Sequence, residues 1–348
     1  MKHYLDINVL DAAIQRIHHV YDTHDTVAVA FSGGKDSLVT LQLTLQVARE
    51  RGRLPLNVIF RDEELIPDQV LDFVNEYRQH PDLRMDWWAV QLKSQRYILG
   101  TSHSLTLWDK NRKWLRQKPD WAITQAPGID PDNPADQYSM DAIAAERMQG
   151  RVAVMTGIRA DESLIRLRSC VNKLNDNYIN ATSSKRAFLC KPIFDWSESD
   201  VFKFFMERGI RYCPLYDAQH LGGMGLRVST PFHAERAKRL SKLRTTSPVF
   251  YSQIMDLFPE MLVQERYYAE YDQAGQADKY ASSREGIEAW IEANVEEGKP
   301  RETAMKRLAS VMTRHASSPK AYPLAAILRY FQSGSFKREM LPLQRSQQ

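Results

Sequence analysis

The sequence predicts an α/β protein built on a doubly wound, mainly parallel sheet with a helical C-terminal region. Three observations carry this: apolar strand-like runs alternate with helix-patterned stretches, a glycine turn joins the first strand to the next helix, and the pattern becomes almost wholly helical after Pro231. Ile7, Leu10, Ile14, Ile17 and Tyr21 recur at helical spacing and give an opening amphipathic helix. The run Val27-Ala28-Val29-Ala30-Phe31 reads as a buried strand, and 38–51 as a helix. Residues 56–60 give a second strand, 68–78 a helix and 85–90 a third strand. In such a sheet a ligand sits at the carboxyl ends of the strands, which places residues 32–37 and the acidic segment after Phe60 on one rim.

Residues 100–150 break the rhythm with Trp108, Trp114, Trp121, a basic run over 110–118 and a Pro/Asp/Gly-rich loop over 127–134. They are expected to form an insertion near the rim. Residues 152–158 restore a buried strand that ends in Gly157-Ile158-Arg159. The expected division is therefore an α/β domain over 1–230 and a helical, basic region over 231–348.

The chain has 348 residues and a formal net charge of +4. That charge is uneven: residues 298–348 hold ten Lys/Arg against two acids, on an otherwise slightly acidic body. Such a region fits an anionic partner, nucleic acid or protein, and Lys110, Arg112, Lys113 and Arg116 of the insertion are candidates to join it. The three cysteines, Cys170, Cys190 and Cys213, have neither CxxC spacing nor an even count, so no disulfide framework and no iron–sulfur cluster is expected. With no apolar run of membrane-spanning length and no signal-peptide pattern, a cytoplasmic location is expected.

The most informative motif is Ser32-Gly33-Gly34-Lys35-Asp36-Ser37. Adjacent glycines let backbone amides approach an anion, the helix N-terminus adds partial positive charge, and Ser32, Lys35 and Ser37 supply further donors. It is not the GxxxxGK[ST] nucleoside-triphosphate loop, because the lysine directly follows the glycines and an aspartate follows the lysine. Next comes Arg61-Asp62-Glu63-Glu64 at the end of the second strand, acids placed to hold a cation or a ribose. The segment Gly157-Ile158-Arg159-Ala160-Asp161-Glu162-Ser163-Leu164-Ile165-Arg166 offers a glycine for close ligand approach and two arginines for forked bonds to phosphate. Lys191-Pro192-Ile193-Phe194-Asp195-Trp196-Ser197-Glu198-Ser199-Asp200-Val201 and Tyr212-Cys213-Pro214-Leu215-Tyr216-Asp217 read mostly as scaffold, with Asp195 or Ser197 capping a helix that runs to Gly209. Gly222-Gly223-Met224-Gly225 before Leu226-Arg227 is either a second phosphate loop or a linker.

SGGKDS resembles the PP-loop of the adenine nucleotide alpha-hydrolase superfamily, a Rossmann-like class acting at the α-phosphate. The other three segments resemble, in order and spacing, those of the phosphoadenosine phosphosulfate (PAPS) reductase-like family. The insertion and helical C-terminus are most similar to its divergent branch, typified by the immunoglobulin-binding regulator proteins of enterobacteria and their phages. The resemblance implies binding of ATP or an adenylyl sulfate compound by Ser32, Gly33, Gly34, Lys35, Asp36, Ser37, Gly157 and Arg159. It implies Mg²⁺ at Asp36 and Asp62, and catalytic roles for Lys35, Asp36, Asp62, Arg159 and Arg166. The family's reductases use a thiolate in a C-terminal ECGxH-like segment, whereas no cysteine follows Cys213 here. The expectation is therefore an ATP pyrophosphatase of adenylyl-transfer type; the alternative is a nucleotide-gated regulatory protein that acts through a partner or nucleic acid without turnover.

Overall fold

Strand and helix patterns alternate from the N-terminus as the periodicity predicts. The structure, a computed structural model, describes residues 6–130, 132–136, 139–171, 178–273 and 280–343. Helix α1 (Val9–Thr23) begins at Asn8, whose side chain accepts from the Asp11 N–H. It leads to β1 (Thr26–Ala30), which passes through the glycine turn into α2 (Lys35–Glu50). β2 (Leu56–Arg61), α3 (Asp68–Arg78) and β3 (Leu83–Trp88) complete one half of the sheet. The insertion contributes β4 (Leu92–Ile98), β5 (Thr101–Leu107), the two-residue β6 (Ala135–Asp136) and α4 (Met140–Ala145). The chain then re-enters the main sheet with β7 (Val152–Thr156), followed by α5 (Leu164–Val171), β8 (Ile179–Ala181), β9 (Ala187–Cys190), α6 (Glu198–Arg208) and α7 (Leu215–Leu221).

The main sheet has the order β3-β2-β1-β7-β9-β8, parallel except for β8, which runs antiparallel to β9. After β1 the chain builds outward through β2 and β3, then returns to place β7 on the other side of β1, from Thr26↔Val152 to Ala30↔Thr156. The reversal makes β1 and β7 the topological switch point, where a crevice opens beyond the strand ends. Their burial on both faces explains why both read as unbroken apolar runs. Helix α2 packs against α1, α6, β1 and β7, and Leu38, Val39, Leu41, Leu43 and Val47 are fully buried. Helix α6 is bounded as expected, with a Ser197–Asp200 capping box and Gly209 in the left-handed conformation at φ 59°. Strands β8 and β9 were not legible as strands, being short and partly exposed.

Contacts divide the chain into Met1–Gln95 with Ser104–Pro259, and Arg96–His103 with Glu260–Gln348. The boundary expected after residue 230 therefore moves to 259. Phe232 is fully buried and meets Phe258 edge-on at 5.1 Å, so the short helices between them belong to the α/β unit. The second unit has its own core, with Ile287, Ile291, Leu308, Val311, Ile327 and Phe331 from helices Arg284–Asn294, Lys299–Ser317 and Leu324–Gln332. Arg345 of the basic region lies outside the described residues. No helix among the described residues is long and apolar enough to cross a membrane.

The acidic segment after β2 anchors the insertion. Glu64 is fully buried at φ 57°, and its carboxylate accepts from both Arg112 amino groups at 2.7 and 2.6 Å, from the Trp108 N–H at 2.6 Å and from the Leu115 N–H at 3.2 Å. Removing one partner of a buried ion pair costs about 3–5 kcal/mol because the other is left unpaired. Glu64→Ala is accordingly expected to lower the unfolding free energy by about 3 kcal/mol in urea titrations. A loss below about 0.5 kcal/mol would mean the contact behaves as an exposed pair.

Candidate active site at the switch point

The glycine turn is shaped by what presses on it. Gly33 has φ +74°, and a Cβ there would meet Val74 Cγ2 at 2.8 Å and Val70 Cγ1 at 3.0 Å. Gly34, the N-cap of α2, would meet Ser32 Oγ at 3.1 Å and both Tyr216 Oη and Val228 Cγ2 at 3.3 Å. Inside the turn, Ser37 Oγ donates to the Gly34 carbonyl at 3.0 Å and lies 3.1 Å from Ser32 Oγ. The Ser32 N–H donates to Ser37 Oγ at 3.2 Å. The N–H groups of Gly33 and Asp36 meet no acceptor among the described residues. They stand at the positive end of a 16-residue helix, an arrangement that favours an anion.

The charged residues form one network. Asp36 accepts from Arg159 Nε at 2.6 Å on one oxygen and from Lys35 Nζ at 3.1 Å on the other. Lys35 also pairs with Glu198 at 3.2 Å, and Arg159 with Asp161 at 2.8 Å. Both cations are largely buried, with side chains 5% and 4% exposed, so the network sits in a low-dielectric setting where an incoming phosphate would be strongly felt. The structure brings Arg159 to the turn but gives Arg166 to Glu162, one helical turn back.

Gly157 has a different partner from the one expected. A Cβ there would fall 2.4 Å from Asp36 C and Ser37 N. The glycine lets the end of β7 touch the first turn of α2, so the space a side chain would take at residue 157 is filled by backbone.

Asp62 is likewise enclosed. It is fully buried, accepts from Trp87 Nε1 at 3.0 Å and the Glu64 N–H at 3.0 Å, and forms an ion pair with Arg116. Burial holds its carboxyl above the usual carboxylate range against the pull of Arg116. Asp36 has a cation on each oxygen, and no group of three or more His, Cys, Asp or Glu among the described residues could hold a metal ion. Both carboxylates of the expected Asp36–Asp62 pair are thus engaged by cationic side chains of the protein itself, Lys35 and Arg159 on one and Arg116 on the other. Part of the insertion's basic run is turned inward: Arg112 and Arg116 reach Glu64 and Asp62, Lys110 pairs with Asp132, and Trp108 is fully buried, whereas Trp121 is 52% exposed.

All three cysteines are buried, and burial pushes Cys190 up to about 12 and Cys213 to about 11. Two contacts escaped sequence reasoning. Tyr216, read as scaffold, accepts the Lys35 N–H at 2.8 Å on its hydroxyl, and Glu198 reaches Lys35 from the start of α6. Both come from segments distant in sequence, and only their place in the family-like stretches hinted at a role.

The fold and the turn define a PP-loop protein of the adenine nucleotide-binding class. Residues 26–226 match the phosphoadenosine phosphosulfate reductase domain, and the chain belongs to that family. It is 28% identical over 251 residues to the uncharacterised protein YbdN of Escherichia coli, covering 68% of this chain and 62% of that one. It is also 22% identical over 215 residues to the adenosine 5'-phosphosulfate reductase of Staphylococcus haemolyticus, covering 61% of this chain and 74% of that one. Among solved structures it resembles the PAPS reductase of Candida auris in a phosphate complex, at 15% identity and TM-score 0.35, over 66% of this chain and all of the other. The FMN adenylyltransferase of Candida glabrata aligns at 14% identity and TM-score 0.40, over 60% and 57% of the two chains.

Gly157→Ala is expected to push β7 off α2 and weaken adenine nucleotide binding at least tenfold by calorimetry. Unchanged affinity would show that the two elements can separate without cost. The thiols are expected to react with a chromogenic thiol reagent at about pH 8 only after unfolding. Rapid labelling of the native protein would contradict their burial.

Proposed function

We propose that this protein binds ATP at the PP-loop and cleaves it between the α- and β-phosphates, transferring the adenylyl group to an acceptor and releasing pyrophosphate. The observation that carries the reading is the pair of N–H groups, Gly33 and Asp36, that meet no acceptor among the described residues, at the N-terminus of α2 beside the buried Lys35 and Arg159. In this reading the acceptor's lone pair forms the new bond to the α-phosphorus. The bridging oxygen takes the electrons of the broken bond, and the acceptor's proton passes to water. Loop amides, Ser32, Ser37 and Lys35 stabilise the leaving pyrophosphate, while Arg159 offsets charge at phosphorus. Arg166 acts by positioning Glu162 and the segment that carries Arg159. Asp62 acts at a distance by holding the insertion through Arg116. The burial of all three cysteines, with the Cys190 and Cys213 thiols pushed up, argues against sulfonucleotide reduction as the reaction.

The second reading is nucleotide-gated binding without turnover, with nucleic acid or a protein as partner. The exposure of Lys299, Lys306, Lys320, Arg329 and Arg338 in the C-terminal unit favours an anionic surface for that partner. ATP labelled at the α- or γ-phosphate separates the two. The adenylyl-transfer reading expects AMP or an adenylated product with pyrophosphate, and a loss of about a hundredfold or more in Lys35→Ala. Binding with no cleavage would favour the gated reading, and ADP as the main product would remove both the α-phosphate chemistry and the proposed roles.

A further inference from the structure

Beyond the PP-loop, a second set of poorly compensated polar groups lies along residues 227–236, past the end of the family match at residue 226. Val228 and Tyr216 both press on Gly34, so the chain that follows Val228 starts one van der Waals layer from the loop. The Ser229 carbonyl accepts from Arg236 Nη1. Arg236 is only 9% exposed, yet no carboxylate pairs with it among the described residues. Thr230 is fully buried, and its hydroxyl has no hydrogen-bond partner among the described residues. Arg227 is exposed, but its backbone is pinned: Gln219, 1% exposed, accepts from the Arg227 N–H at 2.9 Å and donates to its carbonyl at 2.7 Å. The Arg227 guanidinium meets no partner among the described residues.

A buried guanidinium without a counter-charge is costly, and a second cation close to it adds repulsion. Burial and Arg227 together push Arg236 down to about 10, with Tyr216 and Glu63 pulling the other way. Glu63 is the single carboxylate acting on Arg236, against two guanidinium groups, and its Oε2 is buried without a partner. The balance leaves one positive charge on the cluster, and the buried Thr230 hydroxyl belongs to the residue next to the Ser229 carbonyl that Arg236 holds.

We infer that Arg227, Arg236 and Thr230 form a second oxyanion subsite beside the PP-loop, which takes a phosphoryl or carboxylate group carried by the acceptor. This rests on the adenylyl-transfer reading, since it assigns a binding feature to that reaction's second substrate. A guanidinium pair with one hydroxyl suits a forked grip on an oxyanion. The nucleotide's own phosphates could present the same chemistry, so the test separates the two sources.

The probe is inorganic phosphate, titrated by calorimetry into the full chain saturated with α,β-methylene ATP. Phosphate is expected to bind the saturated protein, with affinity falling about tenfold or more in R227A and in R236Q. Affinity for the ATP analogue should change less than about threefold in R227A, since one decade marks a lost charge-assisted contact. Arg227 is exposed, so R227A keeps the test valid if R236Q fails to fold. No phosphate binding by the saturated wild type, or unchanged phosphate affinity in R227A, would overturn the subsite. A tenfold loss for the ATP analogue in R227A, with AMP affinity unchanged, would overturn it differently, by assigning the arginines to the nucleotide's own tail. If the wild type binds phosphate in an R227A-sensitive way but no ATP analogue, the adenylyl-transfer reading fails while the subsite stands.

Discussion

The contact on which the rest of the site depends is backbone against backbone: the end of β7 lies against the first turn of α2 at Gly157. Two strands meet at the switch point, and the helix that follows one must begin where the other ends. A side chain at residue 157 would hold them apart. Because none is there, Arg159 emerges two residues later within reach of Asp36, and the carboxylate becomes the joint between the PP-loop and the second arm of the site. The positive end of α2 is thus placed by sheet topology and fixed by an ion pair, which is why Lys35 and Arg159 can be buried together without mutual repulsion dominating.

A second constraint works from the other edge. Asp62 and Glu64 leave β2 with their carboxylates buried, and each recruits an arginine from the insertion. The acids and the basic run, which looked like two separate surface features, neutralise one another in the interior. Trp87 and Trp108 complete the joint by donating their indole N–H groups to the Asp62 carboxylate and the Asp62 carbonyl, at 3.0 and 2.7 Å. The insertion is therefore bound to the core sheet by charge-assisted hydrogen bonds as well as by buried apolar side chains such as Leu107 and Trp108.

Family membership does not by itself fix the chemistry. The sheet, the loop and the Gly157 segment are those of a PAPS reductase domain, while burial disfavours a thiolate at Cys190 and Cys213. A scaffold that positions a nucleotide's phosphates can serve more than one acceptor, and function must be argued from the site.

The sequence alone determined the alternation of strand and helix, the turn that opens α2, the capping of α6 and the family, because each is written in local periodicity or in a contiguous motif. Helix and strand patterns need only neighbours within a few residues. What a side chain points at was not legible. Whether Asp62 faces a ligand or Arg116, whether Gly157 makes room for a phosphate or for α2, and whether Arg112 is a surface charge or a buried one all depend on residues 48 to 123 positions away. Tyr216 reaches the loop only because the chain folds back over it. Those choices were made by the tertiary structure, since burial turns a charge or a missing Cβ into a requirement that only a specific distant partner can meet.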